Sequence, residues 1–206
     1  MVMPSKCVVH VVDDDDEVRR GLKWLLASAH FPVRDYPTAE DFLARYCPGQ
    51  PGCIILDVVL PDMDGFELLA RIRGLGPHPP VLMLTAYGDI PMAVRALKSG
   101  AVDFIEKPYT DEQLLEHIER ALRRDRKRLR HVQERAQMAE HLACLTPRER
   151  EVMDLVVQGH RSQRIAKKLG ISERTVETHR QRIMDKMHVG SVAELVRVTI
   201  VALGHP

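Results

Sequence analysis

Two hydrophobic rhythms divide this chain. Up to about residue 110, short apolar runs recur: CVVHVV (7–12), FPVRDY (31–36), CIILD (53–57), PVLMLT (80–85) and AVDFIEK (101–107). Runs of this length, bounded by turn residues, predict strands. Between them, segments 17–29, 39–46, 64–73, 89–99 and 110 onward carry apolar residues at helical spacing. Five such strand–helix units imply a parallel sheet covered by helices on both faces. Beyond residue 120 no strand pattern returns. EHIERALRRDRKRLRHVQERAQMAEHL (116–142) lacks Gly and Pro and predicts one helix. LTPREREV (145–152) then opens a run of shorter helices. The pattern predicts a doubly wound five-stranded parallel α/β domain at 1–120, a helical linker at 121–142 and a small all-α domain at 143–206.

Charge sharpens this division. The 206 residues carry a net charge of +1, yet residues 1–120 hold 12 Lys/Arg against 19 Asp/Glu, and residues 121–206 hold 18 against 10. An acidic half and a basic half predict different partners, the second a polyanion. No apolar stretch approaches a membrane span, and MVMPSKC at the N-terminus has no export-signal core. Cys7, Cys47, Cys53 and Cys144 lack metal-site spacing and are expected to be buried free thiols in a reducing cytoplasm.

In doubly wound sheets, ligands bind beyond the C-terminal strand ends. Those positions hold Asp13 and Asp14, Asp57, Thr85 and Lys107. Singly, each has an ordinary explanation: a strand-end aspartate caps a helix, a threonine turns a chain, a lysine is solvated. Five residues at four strand ends converging on one rim point to a shared site. Clustered carboxylates suit Mg2+, with the backbone carbonyl of Val59 a further ligand. A lysine and a hydroxyl beside them suit phosphoryl oxygens. Asp57, on the central strand, is the candidate nucleophile for an aspartyl phosphate. Of the four consecutive aspartates in VVDDDDEV, Asp13 and Asp14 are expected at the metal. Asp15 and Asp16 are expected in the loop and first helical turn. No GxGxxG or Walker glycine pattern follows the first strand, which argues against a nucleotide-binding enzyme.

Residues 6–120 resemble the receiver domains of two-component response regulators. The marks are VVDDD, ILDVVLPDMDG around Asp57, MLTAYG with Thr85, and VDFIEKP with Lys107–Pro108. The resemblance implies a CheY/flavodoxin-like fold, a cis Lys107–Pro108 bond and a Phe104 side chain that switches with Thr85. It also implies a dimerisation or partner face formed by the fourth helix, fifth strand and fifth helix.

In the linker, Ile118, Leu122, Leu129, Val132, Ala136 and Ala139 form an imperfect heptad stripe interrupted by Asp125. It permits a dimeric coiled coil. Packing on either domain, or a solvated helix whose Arg123, Arg124, Arg126, Lys127, Arg128 and Arg130 repel one another, explains it equally. Further on, Thr146, Pro147 and Glu149 spell a helix start, Gly159 a stop, Gly170 a tight turn, and Ser172 and Ser191 two further caps. Ile165, Ala166, Leu169, Ile171 and Val176 would core a helix-turn-helix.

This half resembles LuxR-type DNA-binding domains through LTPREREV, IAKKLGIS, RTVETHR, IMDKM and ELVR, and the whole chain a FixJ-like NarL/FixJ regulator. The family's base-facing positions fall on Glu177, Thr178 and Gln181. Arg174, Arg180, Arg182, Lys186 and Lys168 would hold phosphates or flank the groove. Arg164 departs from the usual glutamate and would add a phosphate contact. The resemblance implies phosphorylation of Asp57 by a sensor histidine kinase, homodimerisation, binding to double-stranded promoter DNA and contact with RNA polymerase. The alternative is a phosphorylation-independent DNA-binding protein whose receiver is a dimerisation scaffold.

Overall fold

The computed structural model describes residues 7–86 and 88–203. The reading of the extreme N-terminus and the last residues of the C-terminal domain therefore lie outside the described residues. The chain divides into two compact units, Met1–Leu129 and Arg130–Pro206.

The first unit alternates β1(Val8–Val12), α1(Asp16–Ser28), β2(Val33–Tyr36), α2(Ala39–Arg45), β3(Gly52–Asp57), α3(Gly65–Gly74), β4(Val81–Thr85), α4(Ile90–Ser99) and β5(Asp103–Glu106). It closes with the first part of α5(Asp111–Ala143). All strands are parallel, in the order β2-β1-β3-β4-β5. The order reverses between β1 and β3, which makes their C-terminal ends the switch point. Every residue of β3 is buried. Alternation sends Ile54 and Leu56 to the core under α2, α3 and α4, and Cys53 and Ile55 to the core under α1 and α5.

Local signals explain the helix starts. Asp15 caps α1, accepting from the backbone N–H groups of Glu17 and Val18, and Asp16 pairs with Arg19 one turn on. Thr38 and Asp64 cap α2 and α3. Asp62 reaches across to the N–H groups of Ala39 and Glu40 at 3.2 and 2.8 Å.

The core also holds a histidine that the sequence reading passed over. His10, in mid-β1, is fully buried, 3.0 Å from the Tyr36 hydroxyl through Nδ1, and packed edge-on against Phe42 and Tyr46. Burial, helped by nearby Arg34, lowers its pKa from 6.5 to about 4.

The linker stripe divides between the two units. Ile118 and Leu122 are buried in the first unit's core, while Val132, Ala136 and Ala139 are exposed. Met138 and Leu142 pack against the core of the second unit. Asp125 proves to be an anchor. Its buried carboxylate accepts from the Gly52 N–H at 2.9 Å and from Arg128 Nε at 2.8 Å, fixing this part of α5 to the start of β3. The basic side chains find partners as well as neighbours, Arg123 with Glu119 and Arg130 with Glu134. Cys7 and Cys53 are buried as expected, but Cys47 and Cys144 are exposed.

The second unit continues with α6(Pro147–Val157), α7(Ser162–Leu169), α8(Glu173–Met187) and α9(Val192–Leu203). Thr146 and Glu149 form a reciprocal capping box at α6. Gly170 turns the chain between α7 and α8 in the left-handed conformation, φ 64°, which glycine adopts without steric cost. Ile165, Ala166 and Val176 are buried in the core of this unit, with Leu169 and Ile171 packed against it.

Two stability predictions follow from these buried groups. A histidine held neutral contributes stability that is full above its unfolded pKa and is lost as pH falls. Denaturant unfolding should therefore show a loss of about 3 kcal/mol between pH 6.5 and 4, at ~1.4 kcal/mol per pKa unit. His10→Phe should remove most of that acid-side slope. Asp125→Ala should cost about 2 kcal/mol at neutral pH, read in the same experiment, because the Gly52 N–H loses its buried partner.

Candidate functional site

Two carboxylates and an ammonium meet at the switch point. Asp13 follows β1 and Asp57 ends β3, and both are buried. Lys107, just past β5, donates from Nζ to Asp13 Oδ2 at 2.9 Å and to Asp57 Oδ2 at 2.6 Å. The remaining oxygens are held by the backbone: Asp13 Oδ1 accepts from the Asp15 N–H at 2.9 Å, and Asp57 Oδ1 from the Val59 N–H at 3.0 Å. The Lys107 N–H donates to the Thr85 carbonyl at 2.7 Å, which ties the lysine to the end of β4. The Lys107–Pro108 peptide is cis.

The loop after Asp57 is shaped by packing. The Gly65 N–H donates to the Val58 carbonyl at 2.9 Å, and a Cβ at Gly65 would clash with the Asp57 carbonyl oxygen. The glycine of LPDMDG therefore lets α3 begin directly against the strand end that carries Asp57.

One cation shared between two acids leaves the cluster electron-rich. Burial raises the Asp13 pKa above the ordinary carboxylate value, and the Asp57 charge acts in the same sense, against the hydrogen bonds from Lys107 and Asp15. Burial disfavours the Lys107 ammonium, but its bonds to Asp57 and Asp13 prevail and raise its pKa. Lys107 is thus firmly protonated, and the excess negative charge rests on the acids.

Asp13, Asp57, Lys107 and the end of β4 are brought together. Thr85 itself is buried. Phe104 is half-buried, packed on the α2–α4 side of the core. It lines a surface cleft of about 640 Å³ with Gly88, Asp89, Ile90, Pro91, Ala93 and Glu106. Asp14 is exposed, and among the described residues no three His, Cys, Asp or Glu side chains gather closely enough to cage a metal. Any cation site here is open, built on Asp13 and Asp57. Two residues that the sequence reading missed support the rim. Arg19 is buried and donates to the Asp13 carbonyl at 2.7 Å, and Tyr109 lies beside Lys107 with its hydroxyl pKa raised by burial. Arg19 stands on the buried side of α1 beside four acids, which is the signal that could have found it.

In the second unit, Arg174, Glu177, Thr178, Gln181 and Arg182 lie on the exposed side of α8. Thr178 Oγ1 donates to the Arg174 carbonyl at 2.9 Å, and Gln181 Nε2 to Asp185 at 3.0 Å. Arg180 is half-buried. Lys186 is paired within its own unit: its ammonium donates to Glu149 at 2.7 Å and to the Cys144 carbonyl at 3.2 Å. Burial works against the Glu149 carboxylate, but the Lys186 and Thr146 bonds hold its pKa down to about 2.

A lysine-bridged carboxylate pair at the switch point, carried on the same chain as a helix-turn-helix unit, defines the class of two-component response regulators. Residues 9–119 match the response regulator receiver domain, and residues 143–199 match the LuxR family of bacterial regulatory proteins. The chain belongs to the FixJ-like branch of the NarL/GerE response regulators, in which a receiver governs transcriptional regulation. It is 40% identical over 200 residues to the transcriptional regulatory protein FixJ of Azorhizobium caulinodans, covering 97% of this chain and 95% of that one. It is 38% identical over 192 residues to the response regulator TodT of Pseudomonas putida, covering 93% and 85%. Among solved structures, the response regulator StyR matches with a TM-score of 0.85 and 41% identity over 95% of this chain and 98% of that one. Full-length FixJ from B. japonicum matches with a TM-score of 0.58 and 38% identity over 98% and 100%. Members of this family are regulators rather than enzymes acting on metabolites. Among the described residues no helix is long and apolar enough to cross a membrane.

Removing the shared cation tests the charge balance. Lys107→Met should destabilise the protein by about 3 kcal/mol at pH 7.5, because it leaves two buried carboxylates uncompensated. An acid whose folded pKa is raised loses its penalty as it protonates, so the deficit should shrink as pH falls towards 4.5. Urea unfolding of both proteins at the two pH values reads this directly.

Proposed function

We propose that this chain is a phosphorylation-activated transcriptional regulator in which Asp57 accepts a phosphoryl group from a sensor histidine kinase. The observation that carries the reading is the Lys107 bridge. It holds the Asp57 carboxylate at the sheet's switch point and remains to pair with phosphoryl oxygens once the carboxylate is esterified. An Asp57 oxygen attacks the phosphorus of a phosphohistidine. The new O–P bond forms as the N–P bond breaks, and the departing imidazole nitrogen takes the electron pair and then a proton. The product is an acyl phosphate.

The residues fit Mg2+. The donors are hard oxygens, two buried carboxylates share a single ammonium, and Mg2+ keeps several waters of its own and so suits an open site. Asp13, Asp57 and the Val59 carbonyl would hold it, with Asp14 at the rim. When bound, it neutralises phosphoryl charge during transfer. Thr85 and Lys107 contact the new oxygens, and Phe104, beside the α4–β5 cleft, follows Thr85.

Phosphorylation adds about −1.5 to −2 charges and shifts population towards a form that pairs through α4 and β5. Ile90, Val94 and Leu97 support this: they stand 82, 43 and 53% exposed at i, i+4 and i+7 of α4, one apolar stripe left uncovered by the described residues of its own unit. The occupant is a second copy of this chain. Pairing brings two α8 helices to promoter half-sites roughly 34–36 Å apart, or a multiple of that, where bound protein meets RNA polymerase. The basic balance of residues 121–206 supports a polyanionic partner.

Size-exclusion chromatography and promoter-fragment binding with a small phosphodonor and Mg2+ test the proposal. The wild type should dimerise and bind DNA at least tenfold more tightly. Asp57→Asn should do neither, and Leu97→Glu should take up phosphate but stay monomeric. Equal binding in all three, with and without phosphodonor, would favour a constitutive DNA-binding protein with the receiver as scaffold.

A further inference from the structure

Three polar side chains meet where the first residue of α7 faces the middle of α8. Ser162 Oγ donates to Glu177 Oε1. Arg180, one turn along α8 from Glu177, donates from its guanidinium to Ser162 Oγ at 3.4 Å and brings Nε within 4.0 Å of Glu177 Oε2. The serine is not occupied in capping: Arg161 is the N-cap of α7, and that helix start has no side-chain cap hydrogen bond. The hydroxyl therefore spends its donor on the carboxylate and accepts from the guanidinium. The Glu177 side chain remains 62% exposed and that of Arg180 only 24%. A solvent-facing carboxylate is thus braced from behind by a seryl hydroxyl and a half-buried arginine.

This bracing has a chemical consequence, which rests on the reading of α8 as the DNA-facing helix. An ionised carboxylate only accepts hydrogen bonds. In the major groove it can meet the exocyclic amino group of cytosine or adenine, and it is repelled by the acceptor edges of guanine and thymine. A free glutamate would have to surrender rotamer freedom on docking and would carry an uncompensated negative charge towards a polyanion. Ser162 removes the first cost beforehand and Arg180 offsets the second. One Glu177 oxygen is turned towards the serine, and the other, 4.0 Å from Arg180 Nε, belongs to a side chain that stays largely open to solvent.

We propose that Ser162, with Arg180 behind it, is a positioning residue for sequence recognition: it presets the Glu177 carboxylate for a base-edge amino group. Discrimination at that base pair belongs to the Ser162–Glu177–Arg180 unit rather than to Glu177 alone. Arg180 accordingly serves the carboxylate instead of a DNA phosphate.

The test uses the full-length protein, treated with phosphodonor and Mg2+, and a randomised library of double-stranded DNA. Selected sites are then varied one base pair at a time, with salt titrations and thermal melts run alongside. Glu177→Ala should abolish an amino-group preference at one position in each half-site. Ser162→Ala should reduce that preference about tenfold, within what one good base contact supplies. It should leave the dependence of affinity on salt unchanged, since no phosphate contact is lost. Ser162→Thr, which keeps the hydroxyl, should restore the preference. Full discrimination by Ser162→Ala, with or without a lower melting temperature, would overturn the proposal and leave the serine as a staple between α7 and α8. If Glu177→Ala itself keeps the wild-type preference, the base-reading role of α8 at this position fails, and the proposal with it.

Discussion

The receiver turns on one ammonium answering for two buried carboxylates. Lys107 reaches both Asp13 and Asp57 from the end of β5, and each acid has one further oxygen fixed by a backbone N–H. A buried ion pair is not by itself a source of net stability, because desolvation consumes most of its Coulombic gain. Its value here lies in geometry and in charge left over. Three strands must be in register for these side chains to meet, and the meeting point remains negative after Lys107 is counted. That imbalance underlies the proposal that a divalent cation binds there and that a phosphoryl group, arriving with its own charge, rearranges the rim.

The second unit solves a similar problem with a different outcome. Glu149 is buried beside a single ammonium, Lys186, and its other bonds go to the Thr146 cap. Here acid and base balance, the carboxylate stays ionised far into the acid range, and the pair is structural. The contrast separates a cluster with negative charge left over from a balanced pair that holds α6 to α8. Along α5, Asp125 plays the structural part again by binding the start of β3, so the helix is an ordered element of the first unit well beyond residue 120.

Much of this was legible in the chain. Strand runs and helical spacing placed all ten elements of the receiver to within about two residues. The reason is that a doubly wound sheet writes its burial directly into periodicity. That Asp13, Asp57, Thr85 and Lys107 share one rim was legible because the fold forces strand ends together. The C-terminal helices were marked by their own caps at Thr146, Ser172 and Ser191. What escaped depends on partners distant in sequence. Asp125 reads as a fault in a heptad stripe until Gly52, 73 residues earlier, is seen to donate to it. The pairing of Lys186 with Glu149, 37 residues earlier, is likewise absent from any local pattern. Asp14 reads as the twin of Asp13, yet just past the end of β1 Asp13 turns inward to Lys107 and is buried, while Asp14 is exposed. Periodicity states which way a side chain faces, and long-range pairing decides what it meets there.

The central claim is that the Lys107-bridged carboxylate on β3 is the one group that takes up phosphate. Intact mass measurement of the full chain after exposure to acetyl phosphate and Mg2+, with peptide mapping, tests it most directly. The expected result is a single phosphoryl adduct, labile to hydroxylamine, mapped to Asp57 and absent from Asp57→Asn. An adduct on Asp13 or elsewhere in the wild type, or a wild type that takes up none while remaining folded, would contradict it.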